Sequence, residues 1–341
     1  MTTTAERIIA VSTAAWDYWR WHATQPGEWV TGYLASRGLR GTVAGQAPAG
    51  WARLVPTLRR RGFTDTELLD AGLALEAKNG GVGDAFRDRL VLPIRDSGDR
   101  IIGFTARRNP TTDDDPDAPP KYLNTTSTPA YDKSRALYGL DADAAARIAR
   151  GGIPVLVEGA LDAEAVRRAG NDLVPLALCG TAVTASHLQH LRNIDPGAVG
   201  RLINATDADT AGQGAIYRLW NLLTSEEAAT VRAAALEHGT DPADLVKAGQ
   251  RAQLRAELVD DARPIVQAAI DITLASYDLE QVEGALAGLR HVAGAIKDTS
   301  PATLAQATGH LTKRLEATTG RDVVVTEVVA AVTDEDRGTG G

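Results

Sequence analysis

The pattern of apolar and polar positions divides the chain into stretches of different period. Residues 1 to 37 read as helical, Ala-rich sequence carrying Trp16, Tyr18, Trp19, Trp21, Trp29 and Tyr33. A loop rich in Gly, Ala and Pro follows, then a basic helix ending Arg59-Arg60-Arg61, and then a short helix that Thr64 and Glu67 close as a capping box and Gly72 stops. Residues 86 to 96 and 100 to 108 are two β-rich runs around Asp96-Ser97-Gly98-Asp99, the pattern of a hairpin. Residues 113 to 119 are acidic and Pro-rich and read as a mobile surface loop. An apolar run of buried-strand type, 153 to 157, stops at Glu158-Gly159, and helical spacing takes over from Leu161 to Val166. Residues 177 to 184 read as strand, tight Gly180 turn and helix start. A strand over 200 to 205 then leads to Asp207, Asp209, Gly212 and a helix. From about residue 251, including 262 to 266 and 304 to 315, the period is helical and predicts a small bundle. The last residues, 334 to 341, read as disordered.

Composition narrows this picture. The 341 residues, 44% hydrophobic, suffice for two domains, or one with appendages, around a real core. No apolar run approaches the length of a membrane span, and the Thr-rich start lacks the blocks of a signal peptide, so a cytoplasmic protein without membrane contact is expected. The one cysteine, Cys179, cannot form an internal disulfide, and there is no Cys/His set for structural zinc. His187 and His190 decorate a helix. A net charge of −8 argues against a protein that simply coats nucleic acid, although Arg residues are denser before residue 110. The amino-terminal aromatics could stack on bases, but anchoring the helical region as core is the simpler reading. For Arg59 to Arg61 a solvated helix end is likewise simpler than a phosphate contact.

The candidate chemistry is carboxylate chemistry. Glu158 falls at the carboxyl end of a strand, the edge of an open parallel sheet where ligands bind, and Asp207 and Asp209 end the second strand in the same way. Three carboxylates converging on one edge repel each other and call for one or two divalent cations. Hard oxygen ligands suit Mg²⁺ or Mn²⁺, which points to phosphoryl chemistry. Without Glu158, the Asp-x-Asp would read equally well as a turn or helix cap.

Val157-Glu158-Gly159-Ala160-Leu161-Asp162 and Thr206-Asp207-Ala208-Asp209-Thr210-Ala211-Gly212 resemble the two signature motifs of the Toprim domain. That domain is shared by DnaG-type primases, type IA and type II topoisomerases and some nucleases. Further phrases resemble the primase catalytic core: residues 30 to 39, the Pro-Gly-Trp region followed by the capped helix, the hairpin of residues 86 to 108, Pro120-Lys121-Tyr122-Leu123-Asn124, and residues 131 to 140. The last two belong to neither topoisomerases nor Toprim nucleases. Residues 238 to 246 resemble a primase metal motif in which two acids flank a Pro; Asp241 matches, but Ala243 replaces the second acid and Asp244 comes one position late.

The resemblance, over roughly residues 27 to 330, implies an α/β fold: a Rossmann-like Toprim parallel sheet (151–250) between an α+β primase-core subdomain (1–150) and a helical bundle (251–333), with a tail at 334–341. It implies a DNA primase, synthesising RNA primers on single-stranded DNA from nucleoside triphosphates with Mg²⁺ or Mn²⁺ and no zinc. Glu158, Asp207 and Asp209 would be catalytic, and Glu158, Asp162, Asp207, Asp209 and Asp241 would hold metal. Arg87, Arg89, Arg107, Lys121, Tyr122, Asn124 and Lys133 would face nucleotide or template. The family's zinc-binding domain and helicase-binding domain have no counterpart here, so a compact plasmid- or phage-type variant is expected, or one whose start-site choice comes from a replicative helicase or a separate template-reading protein. Two rival readings use the same residues: a Toprim nuclease, and a non-catalytic single-strand or partner-binding module left after loss of the second acid at Ala243.

Overall fold

The computed structural model describes residues 3–77, 80–206, 210–237, 239–297 and 299–319. By contacts the chain divides into two units, one of residues 1–182 with 241–255 and one of 183–240 with 256–341.

The first unit opens with α1 (Ala5–Ala23) and α2 (Val30–Ser36). The single helical region expected over residues 1 to 37 is broken where Pro26-Gly27 intervenes, Gly27 taking a left-handed φ of 86°. Strands β1 (Gly45–Ala47), β4 (Arg89–Arg95), β5 (Ile101–Arg108) and β6 (Tyr122–Asn124) form an antiparallel sheet in that order. The expected hairpin is β4–β5, with Val91 opposite Ala106. Helices α3 (Leu54–Arg60) and α4 (Asp65–Asp70), with the small β2–β3 ribbon (Ala74–Glu76, Val82–Asp84), complete this part. Thr64 and Glu67 make the reciprocal cap that the sequence specifies. Trp16, Trp19, Phe86 and Phe104 are buried together in one core, Trp19 edge-on to Phe104 at 4.9 Å between centroids. The core reading of the aromatics therefore holds for Trp16 and Trp19.

Downstream, α5 (Ala142–Ala149) precedes a parallel pair, β7 (Ile153–Val157) and β8 (Leu173–Ala177), joined by α6 (Ala160–Val166). This is the β–helix–β crossover that parallel pairing requires. Helices α10 (Pro242–Lys247) and α11 (Arg251–Arg255) belong to the same unit, and α10 packs on α6.

The second unit holds α7 (Ala185–Ile194), β9 (Ile203–Asn204), α8 (Thr210–Trp220), α9 (Ser225–Ala228), β10 (Arg232–Ala233) and β11 (Arg263–Pro264). Its bundle is α12 (Ile265–Leu274), α13 (Val282–Ile296) and α14 (Pro301–Thr319). β9 and β10 are parallel, and β11 is antiparallel to β10. The strand expected over 200 to 205 is shortened to two residues by a 3₁₀ turn at Val199–Arg201. Residues 263 and 264 are extended rather than helical, because Pro264 has no N–H to give a helix and Arg263 and Pro264 instead pair with Ala233 and Arg232. The expected tail at 334–341 and residues 320 to 333 lie outside the described residues.

Candidate active site

Glu158 is half-buried and directly follows β7, where its carbonyl accepts a hydrogen bond from the Cys179 N–H at 3.0 Å. Gly159 begins the turn into α6. A Cβ at this glycine would lie 2.8 Å from Oδ2 of Asp162, so the missing side chain lets the Asp162 carboxylate fold back over the Glu158-Gly159 turn. Asp241 is the N-cap of α10, with Oδ1 accepting from the Asp244 N–H at 2.6 Å. Asp162 and Asp241 both act on the Tyr122 phenol. Its pKa is pushed above the ordinary range, first by desolvation of its hydroxyl end although 44% of the residue is accessible, then by Asp162, with Tyr33 and Asp241 adding and Arg107 opposing. Two carboxylates from helices adjacent in space, one on α6 and one capping α10, thus lie within electrostatic reach of one phenol.

The described donors are all oxygen and anionic, the type that suits a hard divalent cation, and Asp162 folds into space that a Cβ on Gly159 would fill, but among the described residues no three His, Cys, Asp or Glu side chains come together as a metal-holding group. Asp207 and Asp209 lie outside the described residues. Ala243 is 1% exposed and packs inside the unit, while the exposed Asp244 turns to Arg37 in an ion pair at 3.2 Å. As its position one residue further along the helix implies, Asp244 does not replace the acid that Ala243 lacks.

The basic candidates fall into two groups. Lys121 is exposed at the start of β6, its Nζ 5.9 Å from the Tyr122 ring centroid, and Lys133 is half-buried. Three arginines are engaged with the protein itself. Arg107 is 6% exposed, pairs with Asp113 at 2.5 Å and lies over the Tyr33 ring at 4.8 Å. Asp113 also reaches Arg108 at 3.4 Å, so the loop expected to be mobile is anchored at its start, behind a 3₁₀ turn at Pro110–Thr112. Arg89 is 3% exposed and donates to the carbonyls of Pro120 at 2.8 Å and Lys121 at 3.3 Å. Burial, with help from Arg108 and Arg87, lowers its pKa to about 10. Arg87 donates to the Asp84 carbonyl and stacks on Trp51 at 3.8 Å.

Asn124 donates to the Cys179 carbonyl at 2.6 Å, tying β6 to the loop after β8. Cys179 is the buried small residue expected, but with a left-handed φ of 50°, and burial raises its thiol to about 12. His187 is buried and caps α7 with Thr184, a local role. Nothing in the sequence indicated that Arg37 pairs with Asp244 on α10 or that Tyr33 lies under Arg107; the available signal was the dense phrase of residues 30 to 39.

An antiparallel basic sheet followed by a parallel β–helix–β unit with carboxylates at its strand end defines a Toprim-type catalytic core. The family described as the DNA primase catalytic core, N-terminal domain, matches residues 19–144, and the Toprim-like family matches 155–246. The DNA primase of Streptomyces coelicolor is 38% identical over 268 residues, covering 76% of this chain and 40% of that protein. That of Mycolicibacterium smegmatis is 36% identical over 344 residues, covering 98% of this chain and 52% of that protein. The chain thus spans about half the length of these relatives. The RNA polymerase domain of Mycobacterium tuberculosis primase DnaG, solved in complex with double-stranded DNA, is 33% identical with a TM-score of 0.75, the match covering 91% of this chain and 98% of that one. The chain belongs to the DnaG-type DNA primase catalytic-core family. Among the described residues no helix is long and apolar enough to cross a membrane.

Proposed function

We propose that the chain synthesises short RNA primers on single-stranded DNA from nucleoside triphosphates. The observation that carries this reading is that α10, capped by Asp241, packs on α6, which carries Asp162, with the Tyr122 phenol of the Lys121–Asn124 segment within electrostatic reach of both. Acidic groups for a cation and a cationic edge for phosphate then share one neighbourhood. In the reaction a primer 3′-hydroxyl attacks the α-phosphorus of the incoming nucleotide, the bond to the β-phosphate oxygen breaks, pyrophosphate leaves and the hydroxyl proton is lost. Mg²⁺ or Mn²⁺, when bound, supplies charge stabilisation for the attacking and leaving oxygens. Asp162, Asp207, Asp209 and Asp241 would hold that cation. Glu158 joins them or accepts the proton from the hydroxyl. Lys121 and Lys133 meet phosphate, and Arg107 and Arg89 act from behind, the first bracing Tyr33 and the second fixing the backbone that presents Lys121. A helicase or a separate template-reading protein would raise the local concentration of template.

The test is incorporation of labelled ribonucleotides on single-stranded templates, with Asp207→Asn as the paired variant. Loss of synthesis by Asp207→Asn with template affinity retained is expected; near-normal synthesis by that variant would remove Asp207 from the site.

A further inference from the structure

A cavity of about 300 Å³ lies in the first unit, away in sequence from the carboxylates and basic residues of the candidate active site and sharing none of them. Its walls include Trp16 of α1, Arg95 at the end of β4, Gly139, the α5 N-cap Asp141, and Glu164 and the C-cap Arg167 of α6. The two acids in it are already occupied. The buried Glu164 carboxylate accepts from the Tyr138 hydroxyl at 3.0 Å and the Thr42 hydroxyl at 3.1 Å, and faces Arg167 and Arg168 at 3.4 Å each. Asp141 accepts the Ala144 N–H at 2.9 Å.

The donors are not. Trp16 is 3% exposed, and its buried Nε1 has no acceptor among the described residues, although a buried indole N–H ordinarily finds one. Arg167 meets Glu164 through Nε alone, at a distance longer than a charge-assisted hydrogen bond, and its Nη2 lies beside Gly139, 3.8 Å from where a Cβ would stand. Arg95 gives Nη1 to the Asp99 carbonyl at 2.8 Å; among the described residues its Nε and Nη2 make no hydrogen bond. A surplus of donors around saturated acceptors calls for an acceptor-rich guest, and guanidinium groups suit an oxyanion above other acceptors.

We propose that this cavity is a binding site for a small oxyanion, a phosphate or a carboxylate, held by Arg95 and Arg167 with the Trp16 N–H as third donor. An occupant ties β4 to α6, the helix whose first turn carries Asp162, and so makes the cavity an effector site. The proposal goes beyond primer synthesis and shares no residue with it, so its failure leaves that reading untouched.

The experiment titrates the full chain with inorganic phosphate, pyrophosphate and succinate by calorimetry, at constant ionic strength and without divalent cations, and follows the melting temperature in parallel. One ion per chain is expected, with a rise in melting temperature, and the tighter arm tells a phosphate source from a carboxylate source. Arg167→Gln should weaken binding about tenfold or more, and Trp16→Phe, which keeps a ring and removes the N–H, about fivefold. Without anion Trp16→Phe should melt close to wild type, because it breaks no hydrogen bond; if Arg167→Gln folds poorly, Arg95→Gln takes its place. No heat and no melting shift with any of the three ions would overturn the proposal and leave the donors to water. Wild-type affinity in both variants would overturn it as well, by moving the anion to another surface such as the Lys121 edge.

Discussion

Gly159 carries an argument that depends on one missing atom. Its φ is negative, so no backbone strain requires glycine there; what an alanine would meet is the Asp162 carboxylate. That neighbour is the end of a side chain and can swing aside, so Gly159→Ala should alter melting temperature little. It should nevertheless lower divalent-cation affinity and synthesis by about tenfold or more, because the displaced oxygen is a proposed ligand and small misplacements in a site are costly. Metal titration by calorimetry separates these effects, and unchanged cation affinity would remove Asp162 from the site. The position of Glu158 at a strand end was legible in the sequence, whereas Asp162 and Asp241 were singled out by resemblance to family motifs, and the structure places them in the first turn of α6 and at the N-cap of α10. Arg89 was harder to read. Its position in a β-run says which strand it is on, but not that the guanidinium turns inward onto the carbonyls of Pro120 and Lys121, partners more than thirty residues away.

At the scale of elements, α3 shows how a short helix is held by a distant strand. Asp84 ends β3 and gathers the first N–H groups of α3, which neither a sequence cap nor water would satisfy as well. Asp84→Ala should cost about 3 kcal/mol by chemical denaturation, since it leaves buried donors unpaired, whereas Asp84→Asn should lose less. Equal stability of wild type and the alanine variant would contradict this account of α3. The elements with a local signal were legible: the Thr64–Glu67 cap, the β4–β5 hairpin, and the β7–α6 step. Those set by pairing were not. Arg263 and Pro264 follow an apolar helical pattern closely enough to read as helix, and only their partners on β10 make them a strand.

At the scale of the whole molecule, each unit has its own means of holding together, and in the second it is sensitive to acid. Asp271 on α12 receives Arg263, His310 at 2.8 Å and Arg314 at 2.9 Å, so α12 and α14 are tied through one carboxylate. Burial alone would raise its pKa, but the hydrogen bond and charge of His310, and then Arg263, outweigh it and hold the carboxyl below the usual range. A depressed folded-state pKa means the stabilisation is present above the unfolded value, near about 4, and is lost as pH falls through the folded value. Trp220, the one tryptophan in that unit, reports on it. Melting followed by its emission should fall as pH drops below about 4, and Asp271→Asn should lower the neutral-pH melting temperature and flatten that dependence. An unchanged profile in the variant would show that the carboxylate does not hold the bundle. The most direct measurement supplies the purified chain with labelled ribonucleoside triphosphates, a panel of single-stranded templates and Mg²⁺ or Mn²⁺, and resolves the products by length, with template label followed in parallel. Short RNA that requires template and cation and disappears in Asp207→Asn is the expected result; intact nucleotides beside a shortened template would contradict it and make the same carboxylates those of a nuclease.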